Sequence, residues 1–414
     1  MKNKNLLWIY ILSASIYFAQ GIESLPCLSL FAYLKEKLHL DASTIMYIGS
    51  ITTLAWIIKP IWGYICDQYL SKKIWINISL LGSLLVCLCL GLMPLIPLTL
   101  LVIMLSIGNL TTAFRDVGAD GIMCIEGKQV NACGSIQSIQ WISITIAGIF
   151  VGLVGGYIAD HFNYKVGYLS LIPIYFIILW IVSKYRTVVP KNRTLNKEPC
   201  EEACVSYPDS CEGCQQVVNQ KKNILSTILS YRELFIDKRF LIACLFIFLY
   251  NFNPSFGVPL QFIEKNNFGW SWTFMGCLGA ITSILSIIGA IVYYKIGQKI
   301  NIKKWLFYSV LIGASTTLCY LYFTPTSAII YSIIFSTISL FIFLNVMTFM
   351  AKSTIIGKEA TSFALLCGVN NLAGSLSGIA GAYLFPIIGL KYLIIISAGT
   401  SFLCLPILNK LEIK

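Results

Sequence analysis

Charged residues are scarce in this chain of 414 residues, and their scarcity excludes an ordinary soluble domain. Asp, Glu, Lys and Arg make up 12% of the sequence, whereas soluble domains carry about 25%. Hydrophobic residues make up 57%, and the mean hydropathy is +0.78. Alternating strand patterns of about ten residues are also absent, which argues against a transmembrane barrel. The composition is therefore typical of a membrane protein with several helical spans.

Histidines and catalytic motifs are equally scarce. The sequence has two histidines, His39 and His161, and it contains no H-E-x-x-H, phosphate-binding loop or G-x-S-x-G motif. We therefore expect that the chain is not an enzyme and that it uses neither a cofactor nor a metal ion.

Twelve long hydrophobic runs predict an all-α membrane protein. Each run has about 20 residues or more, which is enough for a helix to cross about 30 Å of hydrocarbon. The first run, which follows the residues MKNKN, is too long for a cleaved signal peptide. The predicted spans are residues 6–33, 43–66, 74–94, 97–122, 134–159, 166–184, 239–262, 270–295, 304–323, 326–350, 360–386 and 389–408.

The distribution of the basic residues predicts the topology. The net charge is +12, and most of the 30 lysines and arginines fall on one side of the membrane if both termini and residues 185–238 share that side. Short basic loops stay in the cytoplasm, so both termini are predicted to be cytoplasmic in a multi-pass protein of the cell membrane. Topology thus explains the positive charge, which does not indicate nucleic-acid binding.

The two halves of the sequence align at a constant offset of 230 residues. Lys73 then matches Lys303, and Gly148 matches Gly378. Two parallel repeats of six helices are the layout of major facilitator transporters, whose solute site lies near the midplane between the halves. The predicted domains are a six-helix bundle over 1–184, a cytoplasmic linker with a cysteine cluster over 185–238, and a second six-helix bundle over 239–414.

The repeat fails at the charged residues within or at the ends of the spans. At the aligned positions the second half has neutral residues. We therefore expect the first half to carry the ion chemistry, and the second half to supply shape, apolar surface and neutral polar contacts. The aligned pairs are Glu23 and Asn253, Lys59 and Gly289, Asp67 and Gly297, Arg115 and Asn345, Asp116 and Val346, and Asp120 and Met350.

Lys59 lies within the second predicted span, where a charged side chain usually faces the bundle or a water-filled cavity. Trp56, Lys59, Gly63 and Asp67 share one helical face by their spacing. Lys59 is interpreted either as an anion-binding or ion-pairing group in the cavity or as part of a structural pair with a carboxylate, and Pro60 is expected to bend the helix beside it. The pattern Gly63-x-x-x-Asp67 resembles the loop motif after the second helix of major facilitators, which implies a capping and gating role for Asp67.

Asp116 and Asp120 are one helical turn apart at the end of the fourth span. Two carboxylates at this spacing repel each other, so one of them holds a proton more readily, and the pair is a candidate for proton coupling. The alternative is a cytoplasmic salt-bridge network with Arg115 and Lys128 that locks one conformation. Glu126, six residues beyond Asp120, is a candidate for gating.

Polar residues in other spans are further candidates. Glu23 follows Gln20 by three residues in the first span, and Pro26 comes shortly afterwards. A proline in a transmembrane helix commonly marks a bend at a site. Gln137 in the fifth span and Asn370 in the matching part of the eleventh complete this group.

Small residues at a spacing of four predict close helix packing in the fifth and eleventh spans. We expect them to be packing surfaces and not ligand contacts. They are Gly148, Gly152 and Gly156 in the fifth span, and Gly374, Gly378 and Ala382 in the eleventh.

Four cysteines lie close together in the linker, at Cys200, Cys204, Cys211 and Cys214. Four thiols could form a tetrahedral zinc site, although the gap between the second and the third is shorter than in zinc ribbons. A cytoplasmic location disfavours disulfides. We expect an unbound, flexible linker and no metal site.

Six segments distributed over both halves carry a family resemblance. They are QGIESLP, YLKEKLHL, WIIKPIWGYICD, FRDVGADGIMCIEG, GSIQSIQW and GKEATSFALLCGVNNLAGSLSG. They resemble the folate–biopterin transporter family, a branch of the major facilitators. The resemblance implies import of folate or a related pterin together with protons, and it marks Lys59, Asp67, Asp116, Asp120, Glu126 and Gln137.

The residues and the resemblance together predict a secondary active transporter that imports folate or a pterin by alternating access, coupled to protons. The alternatives are a major facilitator for another solute, such as S-adenosylmethionine, and a non-transporting membrane receptor. The expected partners are the substrate, protons and the lipid bilayer, and the expected state is a monomer. The predicted substrate-binding residues are Lys59, Trp56, Trp62, Gln20, Gln137 and Asn370. The predicted proton-coupling or gating residues are Glu23, Asp67, Arg115, Asp116, Asp120 and Glu126.

Overall fold

A computed structural model describes residues 2–123, 133–185, 236–296, 301–355 and 359–411, and within these ranges the chain is helical with no strand. The first half contains α1 (Lys2–Ile22), α2 (Cys27–Ala32), α3 (Ala42–Thr52), α4 (Lys59–Gln68), α5 (Lys72–Leu92), α6 (Leu98–Ile122), α7 (Cys133–Phe150), α8 (Gly156–His161) and α9 (Tyr164–Lys184). The second half contains α10 (Lys238–Asn251), α11 (Gly257–Asn266), α12 (Trp272–Ile296), α13 (Ile302–Cys319), α14 (Pro325–Lys352), α15 (Glu359–Ser401) and α16 (Leu405–Leu408).

Each predicted span overlaps helical residues, although the count of twelve remains a prediction. Among the described residues, nine helical segments are long and apolar enough to cross a membrane by themselves. One of these segments, Ser362–Leu408, covers two predicted spans and bends at Gly389, whose φ of +72° suits glycine. The seventh predicted span is interrupted between α10 and α11, and two lysines at the start of α13 lower the hydropathy of the ninth.

The two halves share an interruption in their first helix and a lysine contact with the end of their last helix. The first helix of each half is interrupted, at residues 23–26 in the first half and at residues 252–256 in the second. Lys73 donates hydrogen bonds to the carbonyl oxygens of Ser183 and Tyr185 at the end of α9. Its aligned counterpart, Lys303, does the same at the end of the second half. The division into two bundles and a linker remains a prediction, because most of residues 185–238 lies outside the described ranges.

The second span of the first half is broken where its counterpart is continuous. Residues 53–58 separate α3 from α4, and Pro60 lies in the first turn of α4. The break leaves backbone carbonyl groups without helical partners. The Trp62 indole N–H donates to the carbonyl oxygen of Ala55 at 2.8 Å, and the Asn371 amide donates to that of Trp56 at 3.0 Å. The matching helix α12 runs without interruption and has Gly289 and Ala290 in place of the lysine and the proline.

Close packing joins the two halves along two helix pairs. In one pair, α7 and α8 pack against α12, and a Cβ on Gly152 would lie only 2.5 Å from the carbonyl oxygen of Gly276. In the other pair, α3 packs against α15, and Gly378 faces Ser50. The predicted packing role of the glycines is therefore confirmed for Gly152 and Gly378, and Gly148 and Gly156 also lie against α12. It is wrong for Gly374, because a Cβ there would meet no described atom within 4 Å.

Polar contacts join the halves at the predicted outer end, which we define by the loops at residues 38–41, 162–163 and 267–271. The Asp160 carboxylate at the end of α8 accepts hydrogen bonds from the backbone N–H groups of Trp272 and Thr273, at 3.0 and 2.7 Å. A side chain of the first half therefore caps the first turn of α12 in the second half. Nearby, the Trp272 indole donates to Glu36 at 3.2 Å.

Replacing Asp160 with Ala should loosen the outer end. Loss of a helix cap costs about 0.5–2 kcal/mol, and here the cost falls only on conformations in which the two halves touch at this end. The ratio of open to closed outer ends should rise by about two- to thirtyfold. The measurement is the distance distribution between spin labels at positions 162 and 267, in a background without reactive native cysteines.

Asp41→Ala is the matched control for this experiment. Asp41 accepts a hydrogen bond from the backbone N–H of Ser43 at 3.1 Å, so it caps α3 within its own half. Its loss should destabilise one helix end and leave the distance between the halves unchanged. Equal distance changes in both variants would show that the Asp160 cap does not hold the halves together.

Candidate functional site

Lys59 forms a buried ion pair with Asp116. Lys59 is the first residue of α4, next to the break in the second span, and its ammonium group contacts the Asp116 carboxylate on α6. The two side chains are 18% and 5% exposed. The Lys59 ammonium also lies 5.1 Å from the centre of the Trp56 ring, where the face of the ring attracts a cation. In this conformation Lys59 thus has a carboxylate partner, while a role in anion binding stays a prediction.

Asp120 adds a second carboxylate to this cluster. It lies one turn beyond Asp116 on α6, and the Tyr17 hydroxyl of α1 donates a hydrogen bond to it at 2.5 Å. Lys59, Asp116 and Asp120 together carry one negative charge in excess when all three are ionised. One proton would balance the charges of the cluster, as the predicted coupling role would require.

Arg115 belongs to a separate network, although it is adjacent to Asp116 in the sequence. Its guanidinium pairs with Glu23 at 2.6 Å, and the Arg115 side chain is 1% exposed. Glu23 also accepts hydrogen bonds from the hydroxyl groups of Tyr175 and Thr112, and Arg115 donates to the Ser83 hydroxyl at 3.2 Å. The carboxylate lies at the break between α1 and α2. Successive residues of a helix point about 100° apart, so Arg115 and Asp116 face different neighbours.

The remaining predicted residues of the first half have different surroundings. Trp56 donates to the Asn109 amide oxygen at 3.0 Å, and the Trp62 ring packs on Phe114 with ring centres 4.7 Å apart. The side-chain oxygen of Gln20 is buried and has no hydrogen-bonding partner within the described ranges. Three predicted site residues cannot be placed here: the side chains of Asp67 and Gln137 and the whole of Glu126 lie outside the described part of the chain. The cluster of Cys200, Cys204, Cys211 and Cys214 lies outside it too.

The second half contains a cavity of about 290 Å³ between α10, α13, α14 and α15. The predicted residue Asn370 lines it, and none of the described residues around it is charged. This agrees with the expectation that the second half supplies neutral polar groups and apolar surface. The lining residues are Tyr250, Asn251, Ile312, Gly313, Thr316, Phe335, Ile338, Ser339, Ile342, Phe343, Val346, Met347 and Asn370.

Helix α15 connects this cavity with the surroundings of Lys59. Asn370 lines the cavity, whereas the next residue, Asn371, donates to the carbonyl oxygen of Trp56. Gly368 lies against the broken segment, and a Cβ there would be 3.0 Å from the carbonyl oxygen of Ile57. These residues fall within a single helical turn, which rises about 5.4 Å. The cavity and the broken segment that leads to Lys59 therefore both adjoin the same turn of α15.

Sequence reasoning missed the hydroxyl groups that surround the carboxylates. Tyr17, Tyr175, Thr112 and Ser83 each lie in a predicted span and carry a hydroxyl group that bonds a charged residue. A buried carboxylate requires donors, so the presence of such residues could be expected, but their identity depends on the packing of four different helices.

Solved structures and sequence relatives identify the class and the family. The chain has the fold of major facilitator transporters: a D-xylose–proton symporter superimposes with a TM-score of 0.71 at 12% identity, covering 99% of this chain and 98% of that one. The nucleoside transporter NupG gives a TM-score of 0.66 at 16% identity, covering 98% of this chain and 98% of that one. The BT1 family model matches residues 20–408, and the chain belongs to this family.

Two relatives of this chain have been named by their substrates. The folate-biopterin transporter of Synechocystis is 26% identical over 440 residues, which cover 98% of this chain and 82% of the relative. Folate transporter 1 of Plasmodium falciparum is 23% identical and covers 92% of this chain and 74% of the relative.

Glu23→Gln should destabilise the fold, because it leaves the buried Arg115 charge without its counter-charge. Breaking a buried pair in this way costs about 3–5 kcal/mol. The matched control is Glu36→Gln, since Glu36 is 42% exposed and its pair with Lys265 spans 3.8 Å. An exposed pair contributes about 0–1 kcal/mol. Thermal unfolding of both variants in detergent measures the difference, and equal stability would contradict a structural role for the Glu23 pair.

Proposed function

We propose that the protein is a secondary active transporter that carries folate or a related pterin across the membrane by alternating access. The observation that carries the proposal is the match to the Synechocystis folate-biopterin transporter along almost the whole chain. Membership of the BT1 family and the major facilitator fold support it. The buried charges of the first half and the neutral cavity of the second give such a transporter two chemically different surfaces.

Lys59 is the proposed anion site. Folate carries a glutamate with two carboxylates, and Lys59 is the cation at the break in the second span, where α15 packs against Ile57 and Pro60. Asp116 now holds the ammonium group. A substrate carboxylate would take the place of Asp116, because both are acceptors of the same charge and geometry. Binding of the anion and release of Asp116 from Lys59 are then the same event.

Proton coupling follows from this exchange. An Asp116 carboxylate released from Lys59 would lie ionised and buried one turn from Asp120, which is costly unless one of the two takes up a proton. A proton that enters with the substrate would remove this cost. Glu23 has a permanent partner in Arg115, so we assign coupling to Asp116 and Asp120, with gating by Asp67 and Glu126.

The proposed setting is the cell membrane, with a monomer whose termini are both cytoplasmic. With this orientation, the end at which Asp160 caps α12 faces outward and is closed. The conformation described here would then face the cytoplasm. Uptake of labelled folate into cells that express the chain tests the function. Accumulation against a gradient would exclude a receptor, and failure to take up folates or pterins would favour another solute.

The double variant Lys59→Ala with Asp116→Asn separates the two interpretations of Lys59. Lys59→Ala alone should weaken folate binding by more than a hundredfold, since losing one partner of a buried pair costs about 3–5 kcal/mol. If Lys59 holds the substrate anion, the added Asp116→Asn change should leave affinity low. Recovery of normal affinity in the double variant would show that Lys59 serves only to neutralise Asp116. Equilibrium binding of labelled folate to purified protein measures both.

Asp116→Asn and Asp120→Asn should each abolish uphill accumulation and retain exchange of internal for external substrate. Exchange needs no net proton movement, whereas accumulation needs a carboxylate that changes its protonation. Both are measured in proteoliposomes with an inward proton gradient. If both variants still concentrate the substrate, the coupling group is Glu23 or the driving ion is not a proton.

A further inference from the structure

The cavity of the second half occupies the place that the charged network fills in the first. At the offset of 230 residues, its lining residue Gly313 aligns with Ser83, and Ile342 aligns with Thr112. Ser83 and Thr112 are the hydroxyl residues that bond Arg115 and Glu23. The second half has shorter, uncharged residues at the positions of that ion pair, Asn345 and Asn253. The cavity therefore lies between α10, α13 and α14, which are the counterparts of the helices α1, α5 and α6 around the charged network.

The lining offers neutral hydrogen-bonding groups and aromatic faces. Asn251 and Asn370 carry primary amides, each of which can both donate and accept. The Asn370 amide makes no hydrogen bond to another described residue, so it is available to a ligand. Phe335 and Phe343 supply ring faces, and Phe343 itself packs on Trp141 of the first half with ring centres 5.0 Å apart. A residue of the first half therefore packs against the lining of the cavity.

Volume and charge limit what the cavity can hold. Small-molecule pockets span about 300–1,000 Å³, and this one, at about 290 Å³, lies at the lower limit. It suits a bicyclic ring system and is too small for a complete folate. A carboxylate would find no cation among the described lining residues, and burying it unpaired would be costly.

Asn345, close to the cavity in the sequence, has a buried amide whose hydrogen-bonding groups are unused. It directly precedes the lining residue Val346 and is 1% exposed. Neither polar atom of its amide has a hydrogen-bonding partner in the described part of the chain. Native proteins rarely leave a buried amide unpaired without a bound water or ligand.

We infer that this cavity is the subsite for the flat, uncharged heterocycle of the substrate, while Lys59 holds its carboxylate end. The assignment rests on the proposed function and divides substrate binding between the cavity and Lys59. Asn370 and Asn251 would pair with donors and acceptors on the edge of the ring, and the phenylalanines would lie against its faces. Helix α15 allows both contacts, because Asn370 lines the cavity while Gly368 and Asn371 touch the segment that leads to Lys59.

Two fragments of folate test the assignment. One is a pterin without the glutamate, and the other is p-aminobenzoylglutamate, which lacks the pterin. Each competes with labelled folate for the purified protein. Asn370→Leu keeps the branching of the side chain and removes the amide, so it should weaken the pterin about tenfold, about 1.4 kcal/mol, and change p-aminobenzoylglutamate by less than about twofold. Lys59→Ala should give the opposite pattern.

Each variant is expected to weaken one fragment and spare the other, and a purely structural role of either residue would not produce this pattern. Equal weakening of both fragments by Asn370→Leu, or no change in the pterin, would overturn the assignment and leave the proposed function intact. If the wild-type protein binds neither folate nor the pterin, the proposed function fails and the assignment fails with it.

A second variant keeps the test decisive if Asn370→Leu does not fold. Thr316→Val preserves the shape of another lining residue and removes its hydroxyl group. The hydroxyl of Thr316 already donates to the carbonyl oxygen of Gly313 at 2.9 Å and can only accept from a ligand. Thr316→Val should weaken the pterin about threefold and leave p-aminobenzoylglutamate unchanged. An unchanged pterin affinity in this variant would count against the assignment.

Discussion

A charge inside hydrocarbon needs a partner, and this constraint shapes the first half of the protein. Arg115 and Lys59 are both buried in the span region, and each has a carboxylate from another helix within contact. The backbone is irregular at both places, because Glu23 lies where α1 ends and Lys59 where α4 begins. An interrupted helix exposes polar backbone groups and brings polar side chains towards them. The breaks and the buried charges therefore support each other.

The same constraint distinguishes a fixed pair from an exchangeable one. Glu23 accepts two further hydrogen bonds from hydroxyl groups and Arg115 donates one to a third hydroxyl, so exchanging either partner would leave several groups unpaired. The Lys59 cluster has one cation and two carboxylates, and its charges do not balance without a proton or a second cation. A transporter needs a site whose partners can change as the cavity opens to either side. Of the two clusters, only that of Lys59 has this property among the described residues.

Much of this architecture could be predicted from the sequence, and the rest depends on packing. Hydropathy gives the positions of the helices, and Pro26 indicates the bend after α1. The intramembrane position of Lys59 and the charge difference between the halves are equally plain in the sequence. The pairing of the charges is not plain in the sequence, because Arg115 is adjacent to Asp116 but bonds Glu23, 92 residues away. The cavity is not plain in the sequence either, because its lining comes from four helices that are far apart along the chain.

Helix α15 is the element through which the two halves can act together. Its small residues allow close contact with the second span of the first half, at Gly368 beside Ile57 and at Gly378 beside Ser50. Asn371 additionally holds the carbonyl oxygen of Trp56, whose ring lies beside Lys59. Any movement of α15 therefore changes the surroundings of the ion pair, and release of Lys59 from Asp116 alters the wall against which α15 packs. A substrate that contacts both Lys59 and the cavity beside α15 would therefore couple the two halves.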